Sequence, residues 1–369
     1  THTTGGVETG NIKADGTTVL TVRYSRNSYT VSFDPAKGSK TGDMTFTAGG
    51  EAVTGETFER TVKFEDKIGE LPVVSINGYN FDGWYLGETK VIPTTTLDTV
   101  GNKTIVARFT ARTDTAYEIE HYFEELDGSF KLFKTVPHKG TTDTTATTVT
   151  LNEAGFTFDA ENANNVVGLA INGNGTTLLK LYYLRNTNVK YSVEYYLQNV
   201  DNDSFTINKD ATETLSGKTG ATVSAEIKTF VGFTHDAENA NKLESAEILG
   251  NGTLVLKVYY TRNTYTVTLD KQGGKGGTTT ISARYEKAIE NITSLPTKTG
   301  YAFAGYFTNT NGQGTRYFDN TGKVDSALSN WTITSNLTLY ASWTANKYTV
   351  TLNAKANGGN TDDQTIEVT

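Results

Sequence analysis

Phe156-Thr157-Phe158-Asp159-Ala160-Glu161-Asn162-Ala163-Asn164 returns, nearly unchanged, as Phe233-Thr234-His235-Asp236-Ala237-Glu238-Asn239-Ala240-Asn241. Upstream, Tyr117-Glu118-Ile119-Glu120-His121-Tyr122 returns as Tyr191-Ser192-Val193-Glu194-Tyr195-Tyr196. Downstream, Tyr182-Tyr183-Leu184-Arg185-Asn186 returns as Tyr259-Tyr260-Thr261-Arg262-Asn263. Self-similarity of this kind decides an architecture before any single element is assigned. It marks two copies of one repeat, at 113–187 and 188–263.

A second repeat lies outside the first. Tyr29-Thr30-Val31-Ser32-Phe33-Asp34 reopens as Tyr265-Thr266-Val267-Thr268-Leu269-Asp270, and again as Tyr348-Thr349-Val350-Thr351-Leu352-Asn353. Gly78-Tyr79-Asn80-Phe81-Asp82-Gly83-Trp84-Tyr85 matches Gly300-Tyr301-Ala302-Phe303-Ala304-Gly305-Tyr306-Phe307. Copies occupy 28–112 and 264–346, and a third begins at 347–369. Residues 1–27 read as the back part of the first repeat type, so the chain reads as a piece of a longer array. Tyr29 and Tyr79 stand further apart than Tyr265 and Tyr301, which places an insertion near 38–56. Trp84 and Phe109 stand closer than Tyr306 and Trp343, so the later segment of 28–112 is shortened.

The closing segment of the first type reads as a strand in three copies. Leu20, Val22 and Tyr24 align with Leu179, Leu181 and Tyr183, and with Leu256, Val258 and Tyr260. Alternation at period two predicts one apolar face in each. Arg23 aligns with Tyr182 and Tyr259, which predicts that this position faces water. Ala14-Asp15-Gly16, Asn172-Gly173-Asn174-Gly175 and Asn251-Gly252 precede these strands as turns. Only Ser25-Arg26-Asn27-Ser28 or Thr261-Arg262-Asn263-Thr264 separates a closing strand from the next opening one. Joints without Gly, Pro or a flexible run predict a stiff, elongated array. Helix signals are short: Asp159–Asn164 and its copy, 282–289 and 324–329. The expected class is mainly β, an α+β module with one short helix at most.

Composition removes whole classes of function. Threonine, valine and tyrosine together outnumber leucine, methionine and alanine, which favours strands over helices. The net charge is −8 and there is no cysteine. An acidic chain without a basic block is a poor partner for nucleic acid, and no apolar run is long enough to span a bilayer. Disulfides and thiolate chemistry are excluded.

The second repeat type resembles the Listeria–Bacteroides repeat of internalin-like surface proteins. The resemblance rests on the opening at Tyr265–Asp270, on Pro296-Thr297-Lys298-Thr299-Gly300-Tyr301-Ala302-Phe303-Ala304-Gly305-Tyr306, and on Leu337-Thr338-Leu339-Tyr340-Ala341-Ser342-Trp343. The first type is similar to mucin-binding-protein-like repeats. Both resemblances imply small β-grasp (ubiquitin-like) modules in tandem, on the extracellular surface or wall of a bacterium.

Candidate chemistry is sparse. The four histidines, His2, His121, His138 and His235, are not spaced as zinc pairs, and two of them align with aromatics. Glu118 and Glu120 share a strand face, but serine replaces the first in the sister copy. Asp201-Asn202-Asp203-Ser204 lacks the glycine and the bidentate glutamate of a calcium loop. Gly273-Gly274-Lys275-Gly276-Gly277-Thr278 lacks phosphate-loop spacing and reads as a flexible hairpin tip. Leu295-Pro296-Thr297-Lys298-Thr299-Gly300 is one residue too long for a sorting signal. Trp84 and Trp343 fall at positions kept aromatic, which marks them as core. Trp331 lies outside that pattern and is the candidate exposed ligand contact. No cofactor, metal or catalytic pair is expected. The chain reads as a non-catalytic stalk or spacer of a bacterial surface adhesin, projecting a distal domain. The second reading is that the repeats themselves bind host glycan or protein.

Overall fold

The computed structural model describes residues 2–7, 9–328, 330–353, 358, 362 and 364–369. Two compact units divide the chain, Thr1–Arg185 and Asn186–Thr369. Among the described residues the structure is almost entirely β-sheet.

Four mixed sheets share one plan. In the first, the opening strand Ser28–Asp34 pairs antiparallel with a return strand, Phe58–Lys63, and parallel with the closing strand, Lys103–Ala111. A third strand, Tyr79–Leu86, runs antiparallel along the far side of the closing strand, with Thr89–Val91 at the edge. The strands Thr115–Glu124, Phe130–Gly140, Thr177–Arg185 and Phe156–Phe158 repeat the plan in the same unit. In the second unit it recurs with Val189–Gln198, Val255–Arg262 and Phe233–His235, the return strand being split into Phe205–Ile207 and Glu213–Gly217. It recurs once more with Thr264–Asp270, Thr280–Arg284, Leu337–Ala345 and Tyr301–Phe307, edged by Arg316–Phe318. The insertion near 38–56 builds a small extra sheet, with Met44–Ala48 between Glu51–Ala52 and Val73–Ile76.

Each sheet has its own apolar cluster on one face. Tyr117, Ile119 and Phe123 alternate inward with Leu179, Leu181 and Tyr183 beside them, as a period of two requires. Trp84 is buried and donates its indole N–H to Pro72 O at 2.9 Å. Half-buried Trp343 donates to Lys271 O at 3.0 Å. The first copy of the closing strand departs from the expected alternation. Only Val22–Tyr24 is extended, paired with His2–Val7, and Val22 is 44% exposed. Among the described residues, no third strand lies beside it to build a sheet wide enough for a core. The same holds for Tyr348–Leu352 with Gln364–Val368, whose residues are all exposed.

The position of Tyr182 and Tyr259 does not simply face water. Tyr122 stacks on Tyr182 with centroids 4.8 Å apart, and Phe130 abuts the pair edge-on. Tyr196 stacks on Tyr259 at 4.7 Å, with Phe205 edge-on. The Tyr122 hydroxyl donates to Glu120 Oε2 and the Tyr196 hydroxyl to Glu194 Oε2, each at 2.6 Å. These are in-register pairs across the parallel strands, so the outer face is knitted by aromatic ladders.

The expected short helices are turns. Asn162 N–H donates to Asp159 O, Asn165 N–H to Asn162 O, and the Asp159 and Asn162 side chains take the N–H groups between. Local Asx bonding competes with helix for those donors, and 236–242 repeats it. In 282–289, strand runs to Arg284 and then turns. Single 3₁₀ turns occur at Thr310–Gly312 and Ser326–Leu328; Ser329 lies outside the described residues. Among the described residues there is no α-helix, so the α+β expectation becomes mainly β.

His121 is a buried polar residue within the second sheet's core. Leu151 N–H donates to the Tyr183 hydroxyl oxygen, leaving that hydroxyl's proton for His121 Nδ1 at 2.9 Å. Burial, with His138 and Lys134 nearby, holds the imidazole below its ordinary pKa. The unfolded chain therefore takes up this proton first. The stabilisation is whole above the unfolded value of about 6.5 and is lost as pH falls through the folded one. Thermal unfolding at pH 7 and pH 5 should show a smaller acid-induced drop in His121→Tyr, the residue of the sister copy, than in the parent. An unchanged drop would show that the charge is accommodated in the fold.

Candidate functional site

The structure first relocates the sequence candidates. Trp331 is 1% exposed and packs near Tyr317 in the core of 264–346. Its backbone is fixed by Glu286 N–H to Trp331 O and Trp331 N–H to Lys287 O. Leu97 holds the same place in 28–112, with Glu65 N–H to Leu97 O and Leu97 N–H to Asp66 O. Trp331 is therefore a core residue, hidden from alignment because the shortened segment put no aromatic opposite it. Glu118 is exposed, and Glu120 is engaged by Tyr122 and lies 3.6 Å from Lys180. His235 Nε2 meets Glu244 Oε1 at 2.5 Å, and His138 stacks on Tyr117; the His2 side chain lies outside the described residues. The run at 273–278 is no free tip. Lys275 bridges to Thr297, and a Cβ at Gly274 would meet the Trp343 ring at 2.5 Å. Leu295 and Pro296 are packed inward. Among the described residues, no group of three or more acidic or histidine side chains is placed to hold a metal.

What the residues do converge on is the joint between neighbouring sheets within each unit. After two of the closing strands the next residue bonds in both directions. Arg112 N–H donates back to Gly78 O, and Arg112 O accepts Thr142 N–H, both at 2.9 Å. Asn263 N–H donates back to Gly232 O, and Asn263 O accepts Tyr285 N–H, again both at 2.9 Å. Asn27 O likewise accepts Phe64 N–H. The donor always lies just past the next sheet's return strand. The acceptor behind is a glycine with φ near 80°, directly before the third strand.

Side chains secure each joint differently. In the first unit the insertion supplies them. Thr41 Oγ1 donates to Asp143 Oδ1 at 2.8 Å, and the Tyr79 hydroxyl donates to Asp143 Oδ2. Asp43 N–H and Asn77 Nδ2 both donate to Asn174 Oδ1, and Thr142 Oγ1 donates to Gly78 O at 2.7 Å. Backbones meet here without room for side chains. A Cβ on Gly42 would lie 1.9 Å from Asn77 O, and one on Gly173 would lie 2.8 Å from Gly42 Cα. In the second unit Arg262 bridges. Its guanidinium lies 4.5 Å from the Phe233 ring and donates to Glu286 Oε2 at 2.6 Å and to Tyr285 O at 3.2 Å. Arg284 reaches back to Asn199 O and Asn202 O, in the loop weighed above for calcium. Arg26 repeats the Arg262 bond, donating to Phe64 O and pairing with Asp66 at 2.8 Å. The recurrence of Arg-Asn at 26–27, 185–186 and 262–263 was the sequence signal for this site.

These features define a protein of repeated β modules joined through fixed bonding positions. A family model described as the Listeria-Bacteroides repeat domain matches residues 29–108 and again 265–342. Those two segments, less than half of the chain together, are similar to Listeria–Bacteroides repeats. Among solved structures the chain is similar to the crystal structure of Mub-RV, at 14% identity, over 40% of this chain and 99% of that chain, with a TM-score of 0.13. A score that low transfers no fold, so the description of 113–263 rests on its own topology. Comparison with curated proteins finds no match.

Two substitutions separate core from joint. Trp331→Ala should cost about 3–5 kcal/mol as a core cavity. Trp331→Phe should cost much less, because the indole N–H has no partner to lose. Gly42→Ala should destabilise the first unit by about 1–3 kcal/mol through overpacking, while Gly10→Ala, which meets nothing within 4 Å, should be neutral. Denaturant titration of the full chain reads both; a neutral Gly42→Ala would mean the joint yields freely.

Proposed function

We propose that this chain is a non-catalytic structural stalk or spacer of a bacterial cell-surface adhesin, in which tandem β-grasp modules hold a distal domain away from the surface. The observation that carries the reading is the parallel pairing of opening and closing strands at the centre of every complete sheet. A chain that enters one strand and leaves by its parallel neighbour exits at the opposite end of the sheet. At about 3.3 Å per residue, each passage advances the chain by a few nanometres. Modules of this kind add length with each copy, and the doubly bonded joint residue fixes the next module against the last. The strand order return–opening–closing–third supports the β-grasp assignment, with turns and loops in place of a helix in the crossover.

The match to the Listeria–Bacteroides repeat model and the cysteine-free, acidic composition support an extracellular location on a bacterial surface or wall. No helix among the described residues is long and apolar enough to cross a membrane. The partners implied are neighbouring repeats, with host glycan or protein in the second reading. The outer-face tyrosines favour the first reading, because the rings stack on one another and the Tyr122 and Tyr196 hydroxyls are already bonded.

Small-angle scattering on the full chain tests the proposal. A globule of this length has R_g of about 21 Å, and a stalk should exceed about 30 Å. A value near the globular one would overturn it.

A further inference from the structure

The return strands differ in what they leave at the edge of their sheets. Phe130–Gly140 is 11 residues long, against 6 for Phe58–Lys63 and 5 for Thr280–Arg284. Its sister in 188–263 is broken into Phe205–Ile207 and Glu213–Gly217. Among the described residues Phe130–Gly140 has one neighbouring strand, Thr115–Glu124, so its other side is open. Pro137 stands opposite Glu118. Proline has no N–H, so that pair cannot be a bonded one. Bonded and unbonded pairs alternate along an antiparallel ladder. The N–H groups of Thr135 and Lys139, two residues to either side, therefore point away from Thr115–Glu124. Charge on this edge has one sign: Lys131, Lys134 and Lys139 are exposed, and the strand holds no acidic residue. Asp114, the carboxylate that feels Lys139, is held by Arg112 through two bonds of 2.9 Å. The arginines of the other return strands are spent within the fold, Arg60 on Ile68 O and Glu70 O, Arg284 on Asn199 O and Asn202 O. A hollow of about 400 Å³ opens beside the same edge. A bulge between Leu132 and Lys134 leaves Phe133 without a cross-strand partner. Phe133 and Phe156 each stack on Phe123 at 4.3 Å, and Phe133 is 52% exposed. Lys131, Arg185, Glu125 and Glu153 form the rim.

We propose that Phe130–Gly140 is the docking edge for an acidic, extended segment of a partner protein, which adds to this sheet as a fifth strand. Strand addition draws affinity from main-chain bonds and selectivity from side-chain pockets. Thr135 and Lys139 offer the donors, and their carbonyls with that of Pro137 offer the acceptors. The hollow at Phe133 takes one large apolar side chain of the added strand. The lysines set the partner's charge. They repel a second copy of the same edge, as lysines on exposed edges do, and they attract carboxylates that a chain of net charge −8 otherwise repels. Such docking adds a partner to the stalk, and its test is independent of the scattering result.

The probe is a short blocked peptide of alternating glutamate and threonine with phenylalanine at its centre. Its control carries lysine in place of glutamate. In amide spectra of the full chain, the acidic peptide should shift the signals of 131–139 saturably and protect the Thr135 and Lys139 amides from exchange. The signals of Phe58–Lys63 and Thr280–Arg284 should not move. Thr135→Pro removes an outward donor and should weaken binding at least about tenfold. Should that variant not fold, Lys131→Glu, Lys134→Glu and Lys139→Glu together should turn the preference to the lysine peptide. Absence of shifts overturns the site, as does an equal or stronger response of the parent chain to the lysine peptide. So does binding that survives these substitutions unchanged. A dimer of the parent chain that Thr135→Pro dissolves would also overturn it, by assigning the edge to a second copy.

Discussion

Every complete sheet depends on a parallel bond ladder between its first and last long strands. Parallel neighbours cannot be joined by a tight hairpin, so everything else in a module lies within the crossover. The return strand leaves from the opening strand's far end, the third strand lines the closing strand, and the loops between them cover the apolar face. Leu179, Leu181 and Tyr183, or Val267 and Leu339, are fully buried because this ladder is central. The small sheets that pair Val22–Tyr24 and Tyr348–Leu352 lack it: strands form, but among their described side chains none is buried.

The joints extend the same logic by one residue. Closing strands end where the next opening strand begins, so a single residue, Arg112 or Asn263, has its N–H committed behind and its C=O committed ahead. That leaves little freedom for a hinge at Arg112 or Asn263. The surrounding side chains differ between joints. A threonine–aspartate–asparagine net with close glycine contacts serves 28–112 against its successor. Arginine over phenylalanine with a carboxylate serves 188–263 against its successor. The backbone bond is common, and the side-chain chemistry depends on which repeat types meet.

Much of this was legible in the residues. Repeats, strand alternation at Leu179–Tyr183 and the core positions of Trp84 and Trp343 follow from pattern, because burial on a pleated strand has a strict period. The insertion near 38–56 was visible as a length difference, but its use was not, since Thr41 and Asp143 meet only once two sheets are placed. Trp331 was misread as exposed because its counterpart is Leu97, and an aromatic with no aromatic counterpart looks optional. Short Asp-Ala-Glu-Asn segments resemble helix starts in composition. Their side chains cap turns instead, a competition that propensity alone does not decide. Arg23 in place of Tyr182 suggested a solvated position, whereas in-register tyrosines on parallel strands cover one another.

The parallel ladder also sets how a module meets a pulling force. Tension along the chain acts on the start of the opening strand and the end of the closing strand, in opposite directions. Those strands are direct neighbours, so the load slides one past the other and falls on every rung at once. An antiparallel pair pulled from the same end would open one rung at a time. The tyrosine stacks at Tyr122–Tyr182 and Tyr196–Tyr259 lie across that sliding seam and would have to unstack before it moved. Residues that look ornamental on an outer sheet face are, under load, the teeth of a ratchet.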